Sequence, residues 1–227
     1  KWEIPFRYTG LDDFVTLCNA KTILDFGWIF KNPNLGAPFG TNNYDFLANL
    51  LQNIDNFFLK FLLLITRDAF VAVNIQYLLI FPSIAIISYL VMRSLSINNL
   101  IAILGSLTYA FLPFIFLRGI THLCLSTYQF IPLGILICIW LFTDDNFFIV
   151  NKNFFKYKRN LYAMLFVVLI ACNNISYYAF FTCFLLCVTG LSKYIKERNI
   201  KHIFKSLLLI IFIGIMITIC LTPSFIY

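Results

Sequence analysis

The chain has 227 residues, of which 61% are hydrophobic and only 12% are charged. A soluble domain is typically about 45–50% apolar and about 25% charged, so the composition excludes an ordinary soluble protein and predicts an integral membrane protein. The net charge of +7 does not indicate nucleic-acid binding, because the basic residues cluster in short loops between apolar segments. The chain begins at Lys1 and ends without a polar tail, so we expect it to be a fragment, truncated at both ends.

Residues 1–68 are rich in polar and aromatic side chains and are predicted to form a large loop outside the membrane. The spacing of apolar residues predicts a helix over 12–24, with an acidic pair at its N-terminus. Residues 31–40 are dense in turn-forming residues and are predicted to lack regular structure. Residues 44–65 are predicted to form an amphipathic helix in the plane of the membrane interface.

Residues 69–227 are predicted to form a transmembrane helix bundle. It contains about six apolar segments, which cover residues 69–92, 98–117, 123–142, 160–172, 175–191 and 206–221. The first three reach the ~20 residues that a spanning helix needs. A single helix over 160–191 would be about 48 Å long, which exceeds the thickness of a bilayer. We therefore predict that the fourth and fifth segments form a hairpin with Asn173 and Asn174 at its tip.

The basic loops predict the orientation of this bundle. Lysines and arginines are concentrated between the third and fourth segments and between the fifth and sixth. With the hairpin in place, both loops fall on one face of the membrane, which the positive-inside rule assigns to the cytoplasm. Residues 1–68, the turn at 118–122 and the hairpin tip then lie on the external face.

The cysteines are predicted to be small apolar residues of packed helices rather than metal ligands or disulfides, since no pair has the Cys-x-x-Cys spacing. There are seven of them: Cys18, Cys124, Cys138, Cys172, Cys183, Cys187 and Cys220. The two histidines, His122 and His202, are predicted to lie on opposite faces of the membrane, which excludes a site made of several histidines.

Asp12 and Asp13 are the first candidate site residues, because two adjacent carboxylates stand at the start of the external loop's first helix. One of them could act as a general base that takes a proton from an acceptor as a glycosidic bond forms. The pair could instead hold a divalent cation, Mg²⁺ or Mn²⁺, that neutralises a phosphate leaving group. The structural alternative is that both only cap an exposed helix.

Arg118 and His122 are candidates for binding substrate, because they lie close together in a turn on the predicted external face. Arginine pairs with phosphate and pyrophosphate oxygens in a bidentate way, and His122 could reach the same group. The alternative is an arginine that extends to the membrane surface and an interfacial histidine.

Five further residues are weaker candidates for lining a substrate cavity. Tyr44, Asp45 and Asn49 begin the amphipathic helix, although a solvated helix face explains them equally well. Asn173 and Asn174 stand at the hairpin tip, where their alternative role is to satisfy free backbone groups.

A series of short motifs is similar to that of a known family. The motifs are Tyr8-Thr9-Gly10-Leu11-Asp12, Phe26-Gly27-Trp28, Asn32-Pro33-Asn34-Leu35-Gly36-Ala37-Pro38-Phe39-Gly40, Tyr44-Asp45-Phe46, Phe111-Leu112-Pro113, Arg118-Gly119 and Tyr177-Tyr178-Ala179-Phe180-Phe181. In this order they resemble large bacterial multispanning proteins described as membrane glycosyltransferases or sugar translocases of the GT-C class. The resemblance covers nearly the whole chain, and the stretch at 32–40 is its most specific part.

The resemblance implies a GT-C-like helix bundle with amphipathic helices in a large first external loop. It also implies transfer of a sugar from a polyprenyl-phosphate-linked donor to a glycan, lipid or protein acceptor, outside a bacterial inner membrane. Asp12 matches the family's loop acid, whereas Asp13 stands where the family has a small or apolar residue.

Two other functions are alternatives to sugar transfer. The first is a non-catalytic flippase or transporter of lipid-linked sugars or other polar lipids. The second is a structural membrane subunit without a site. Membrane lipids are expected partners in every case, and nucleic acid is not.

Overall fold

A computed structural model describes residues 2–4, 12–45, 52–149, 154–173 and 175–226. Within these residues the chain is mostly helical, with one small antiparallel sheet. Four of the described helices are long and apolar enough to cross a membrane, namely Ala69–Ser94, Asn99–Arg118, Tyr177–Glu197 and Lys201–Ile226. The prediction of an all-α membrane protein is therefore confirmed at the level of class.

The described helices are α1 (Asp12–Phe26), α2 (Asn53–Thr66), α3 (Ala69–Ser94), α4 (Asn99–Ala110), α5 (Pro113–Arg118), α6 (Leu123–Ser126), α7 (Ile131–Thr143), α8 (Lys158–Asn173), α9 (Phe180–Glu197) and α10 (Lys201–Ile226). Short 3₁₀ turns cover Asn43–Asp45, Ile120–His122 and Phe154–Lys156, and a π-helical turn covers Ile175–Ala179. The strands β1 (Lys31–Asn32) and β2 (Thr41–Asn42) pair Lys31 with Asn42 and Asn32 with Thr41.

The chain divides into two compact units, residues 1–129 with 221–227 (unit 1) and residues 130–220 (unit 2). In unit 1, α1 and α2 pack against each other and against α3, and α3 packs along α4. The core between α1, α2 and α3 consists of Leu17, Ala20, Ile23, Ile29, Leu59, Leu62, Leu63, Ala72 and Val73. The amino-acid composition changes at residue 69, but α2, before this boundary, packs directly against α3, after it.

The turn between α2 and α3 is set by the two charged residues that interrupt the apolar sequence. Arg67 ends α2 in the left-handed conformation, with a φ of 56°. The Asp68 carboxylate then accepts a hydrogen bond from the Val71 amide at 2.9 Å and caps α3. The long apolar run therefore starts as a new helix at Ala69.

Helix α2 differs from its prediction in extent. It begins at Asn53, residues 46–51 lie outside the described part of the chain, and Asn43–Asp45 form a 3₁₀ turn. An apolar stripe of α2, made of Phe57, Phe61 and Leu64, is exposed, whereas the opposite side of the helix is packed on the protein. An apolar stripe that faces outward suits contact with lipid, which is as apolar as a protein core.

The predicted third segment at 123–142 is wrong as one continuous helix. The short α6 ends at Ser126, residues 127–130 are not helical, and α7 begins at Ile131. Pro132 stands in the first turn of α7, where its missing amide proton costs nothing. The second segment is likewise interrupted just before Pro113, which starts α5.

In unit 2, α8 runs antiparallel to α7. Arg159 at the start of α8 pairs with Asp144 just after the end of α7, at 2.6 Å. Near the other end of α8, Ile170 lies close to Gly134 in the first turns of α7, where a Cβ at the glycine would be 3.5 Å from the isoleucine.

Helix α9 runs parallel to α7, and therefore opposite to α8. Thr182 near the start of α9 lies against Gly134, and Lys196 near its end lies 5.2 Å from the ring centre of Phe142. The described helices of residues 158–197 thus form the predicted hairpin, with the π-helical turn Ile175–Ala179 at its tip. The basic loops on either side of the hairpin both lie at the Asp144 end of unit 2.

Candidate functional site

A small polar cavity in unit 1 is the best-formed candidate site among the described residues. It has a volume of about 210 Å³ and is enclosed by α1, α2, α3 and α6. Its lining combines one carboxylic acid with four amides, one hydroxyl and one thiol among apolar side chains: Val15, Thr16, Asn19, Gln52, Asp55, Asn56, Leu59, Gln76, Leu123 and Cys124. Cavities that hold a whole drug-sized ligand are typically about 300–1,000 Å³, so this one fits a single reacting group of a larger substrate.

Asp55 is carried into this cavity by the buried stripe of α2. Leu59, Leu62 and Leu63 follow it at the spacing of one helix face and are almost fully buried. When these leucines pack on the core, the carboxyl group goes inward with them. Asp55 is consequently only 7% exposed, which is rare for an acidic residue that has no ionic partner among the described residues.

Burial raises the pKa of Asp55 from its ordinary value of 3.8 to about 7, because the ionised form loses its hydration. A hydrogen bond from the Thr127 hydroxyl to Asp55 Oδ2, at 3.0 Å, opposes this shift. None of the ion pairs between described residues includes Asp55. The group is therefore close to half ionised at neutral pH, which suits proton transfer in either direction.

Gln76 adds a second polar group to the same cavity. Its Nε2 donates a hydrogen bond to the backbone carbonyl of Asp55 at 3.1 Å. Its Oε1 is buried and accepts no hydrogen bond from any described residue. An unsatisfied buried acceptor costs about 1–3 kcal/mol, so this atom favours a ligand that brings a hydrogen-bond donor, as a hydroxyl group does.

The predicted acids Asp12 and Asp13 form the first turn of α1, but their side chains lie outside the described part of the molecule. The helix that they begin contributes Thr16, one turn after Asp12, to the cavity. It also packs against the turn Ile120–His122 and against α6. The predicted acidic helix and the predicted cationic turn are thus neighbours in unit 1.

Arg118 lies just before this turn, and His122 is its last residue. Arg118 is exposed at the end of α5, with its guanidinium 5.9 Å from the ring centre of Phe114, and its carbonyl accepts a hydrogen bond from the Thr121 hydroxyl. His122 is half-buried and directly precedes α6. Both residues lie next to elements that line the Asp55 cavity, and neither lines it, so their role in binding phosphate stays a prediction.

Of the remaining predicted site residues, the two that the structure describes in full, Tyr44 and Asn173, do not line the cavity. The ring of Tyr44 stacks on Phe30 at 4.6 Å, and its carbonyl accepts a hydrogen bond from Ser224 at 2.8 Å. The side chain of Asp45, and Asn49 and Asn174 entirely, lie outside the described residues. Asn173 is buried at the end of α8 in unit 2.

The loop between β1 and β2, which carries the most specific part of the family resemblance, uses its polar side chains for its own fold. Asn32 Nδ2 donates to the Thr22 hydroxyl at 2.7 Å. Asn43 Nδ2 donates to the Ile29 carbonyl at 2.6 Å. Asn32 thus holds β1 against α1, and Asn43 holds the end of β2 against the segment that follows α1, so both amides have a structural role.

A cluster at the basic end of unit 2 has the composition of a metal site but not its electrostatics. Ligand atoms of Asp145, Glu197 and His202 lie within 4.8 Å of one another. However, the buried Lys193 ammonium pairs with the Asp145 carboxylate, and the Lys205 ammonium donates to the Asp145 carbonyl. The ion pair with Lys193 lowers the pKa of Asp145. The ammonium groups of Lys193 and Lys205 already supply the positive charge that a metal ion would bring to these carboxylates, so we interpret the cluster as an ion-pair network.

Asp55, Gln76 and Thr127 were not among the residues predicted from the sequence. The available signal was the register of Asp55 with Leu59, Leu62 and Leu63, which places an acid on an apolar stripe. Gln76, an amide in the first half of a predicted span, was a second signal.

No protein-family model, curated protein or solved structure matches this chain. The similarity to GT-C proteins therefore rests on the short motifs alone.

Proposed function

We propose that the chain is part of a membrane glycosyltransferase that moves a sugar from a polyprenyl-phosphate-linked donor to an acceptor hydroxyl, outside a bacterial inner membrane. The observation that carries the proposal is a buried carboxyl group with a pKa of about 7 in a polar cavity of unit 1. A general base works best when its pKa is close to the pH at which it operates. The acceptor is a glycan, lipid or protein of the cell envelope.

Asp55 takes the proton in the proposed reaction. The acceptor oxygen forms a bond to the anomeric carbon of the sugar while its proton passes to the Asp55 carboxylate. The bond between the anomeric carbon and the phosphate oxygen breaks, and the lipid phosphate leaves with the electron pair. Because Thr127 engages Oδ2, we assign Oδ1 as the atom that accepts the proton.

Two other groups assist this step. Gln76 Oε1 accepts a hydrogen bond from a second hydroxyl of the acceptor, which satisfies the buried oxygen and orients the nucleophile. Arg118 and His122, in the turn beside α1, balance the charge of the departing phosphate.

Asp12 and Asp13 keep a separate role in the proposal. They would hold a Mg²⁺ or Mn²⁺ ion near the phosphate, where a cation would stabilise the leaving group. Proton transfer to Asp55 does not depend on that ion. Loss of transfer in Asp12→Asn, with recovery at high Mg²⁺, would support the metal role.

A carrier is the second candidate, and the same observation favours it. Buried carboxyl groups that titrate near neutral pH also occur in proton-linked transporters. In a carrier, Asp55 would bind and release a proton as the lipid-linked sugar crosses the membrane, and the sugar would stay on its lipid.

The test uses the full-length protein in proteoliposomes with a radiolabelled polyprenyl-phosphate sugar. We expect label to leave the lipid with wild type, and the rate to fall at least about 100-fold in Asp55→Asn, because one general base contributes typically 10²–10⁴-fold. The matched control is Asp25→Asn, which removes an exposed carboxylate paired with Lys21 on α1. It should transfer at the wild-type rate.

Three results would contradict the proposal. Equal transfer by wild type and Asp55→Asn would exclude Asp55 as the base. Label that crosses the bilayer while attached to its lipid would indicate the carrier. Label that neither moves nor crosses would exclude this class of donor.

A further inference from the structure

Two cysteines of unit 2 lie in direct contact. Cys172 stands in the last turn of α8 and Cys220 in the last third of α10, and their Sγ atoms are 3.3 Å apart. They are 48 residues apart in sequence, so their contact is a product of the fold. Both are partly exposed, and neither lines the Asp55 cavity.

Both thiols lie away from the basic end of unit 2. At ~1.5 Å per residue, Cys172 is about 20 Å along α8 from Arg159, and Cys220 is about 28 Å along α10 from Lys201. The hydrocarbon core of a bilayer is about 30 Å thick. The positive-inside rule assigns the basic end to the cytoplasm, so the thiol pair lies beyond the middle of the bilayer, in the half next to the external face.

We propose that Cys172 and Cys220 form a disulfide bond that joins the tip of the α8–α9 hairpin to α10. A disulfide has an S–S distance of about 2.05 Å, so the two sulfur atoms need to close by only about 1.2 Å. The external face of a bacterial inner membrane is an oxidising compartment in which such bonds form and persist.

The oxidant is a protein disulfide of a thiol–disulfide oxidoreductase. A thiolate of one cysteine attacks that disulfide and forms a mixed disulfide, which the second cysteine then resolves. One S–S bond forms in this chain, the oxidant's S–S bond is reduced to two thiols, and the two protons of the cysteines pass to the oxidant. The prediction that the cysteines only fill space then applies to the other five.

The bond is tested by counting thiols in the full-length protein from bacterial membranes. Membranes are precipitated with acid, dissolved in SDS and labelled with a maleimide-polyethylene glycol before or after reduction. We expect wild type to gain two adducts after reduction. Cys172→Ser and Cys220→Ser should each gain none, whereas the control Cys183→Ser, which leaves the pair intact, should still gain two.

Peptide mapping of the wild type by mass spectrometry keeps the test independent of whether the variants fold. A linked pair of peptides containing Cys172 and Cys220 would support the proposal. Equal adduct numbers before and after reduction, or a link between other cysteines, would overturn it. The proposal depends on the orientation of unit 2 and not on the glycosyltransferase function, so its failure would leave the Asp55 assignment standing.

Discussion

Asp55 shows how a single side chain acquires chemistry from the helix that carries it. The leucines that follow it on α2 gain free energy by burial, about 1.5–3 kcal/mol each. That gain holds a carboxyl group in a place where its ionised form is poorly hydrated. The Thr127 hydroxyl and the Gln76 amide compensate only in part, because one bonds a single carboxylate oxygen and the other bonds the backbone.

The raised pKa of Asp55 predicts how stability depends on pH. Between about pH 4 and 7 the folded state keeps a proton that the unfolded state releases, so the free energy of unfolding falls as pH rises through this range. Above pH 7 the loss is complete, at about 4 kcal/mol. Asp55→Asn removes the titrating group, so it should melt at a higher temperature than wild type at pH 8, with little difference near pH 4.

Thermal unfolding in detergent at the two pH values measures this effect. Asp25→Asn is the control, because its exposed carboxylate should show no such pH-dependent gain. A difference between Asp55→Asn and wild type that is the same at pH 4 and pH 8 would show that Asp55 is not titrating in this range.

The candidate acids illustrate what the sequence could and could not predict at this scale. Asp12 and Asp13 are conspicuous because they are adjacent and begin a helix. Asp55 is hidden because α2 has two apolar stripes, one with Phe57 facing outward and one with Leu59 facing inward. In a membrane protein both surroundings are apolar, so hydrophobic periodicity cannot tell which stripe is packed on the protein.

At the scale of elements, the length of a candidate helix and the position of the charged loops predicted the helix arrangement better than local helix propensity did. The hairpin of α8 and α9 followed from the excessive length of a single helix and from the basic loops beside it. The break before α7 did not, because the polar side chains Ser126, Thr127 and Gln129 are too few to interrupt the apolar pattern of residues 123–142, and helical breaks inside such a run depend on tertiary contacts. Pro132 was a local signal for this break, as Pro113 was for the break before α5.

The close packing of α9 on α7 predicts that a substitution at Gly134 lowers stability. A Cβ there would lie 2.9 Å from the Thr182 hydroxyl, closer than normal contact. We expect Gly134→Ala to lower the free energy of unfolding by about 1–3 kcal/mol, as overpacking of a tight interface does. Thermal unfolding in detergent reports the change.

Gly214→Ala is the matched control, since a Cβ at this helical glycine meets nothing within 4 Å. It should be neutral or slightly stabilising, because alanine is the better helix former. Adding Thr182→Ala to Gly134→Ala should restore part of the loss. Equal effects of the two glycine substitutions would contradict the close approach of α9 to α7.

At the scale of the whole molecule, each unit has a chemically distinct feature. Unit 1 contains the cavity of Asp55 together with the helices of the first loop. Unit 2 has a basic end, where Asp144 and Asp145 pair with cations, and a thiol pair close to the hairpin tip. The proposed orientation, with the basic end in the cytoplasm, comes from charge alone, and the state of the thiol pair is an independent test of it.

The most direct test of the account is the pH dependence of sugar transfer in proteoliposomes. If Asp55 is the general base, the wild-type rate should rise about tenfold per pH unit at acidic pH and level off above about pH 7, where the carboxyl group is ionised. Asp55→Asn should lose both the rate and this inflection. A wild-type rate that is constant from about pH 5 to pH 9 would contradict the assignment of Asp55 as the catalytic base.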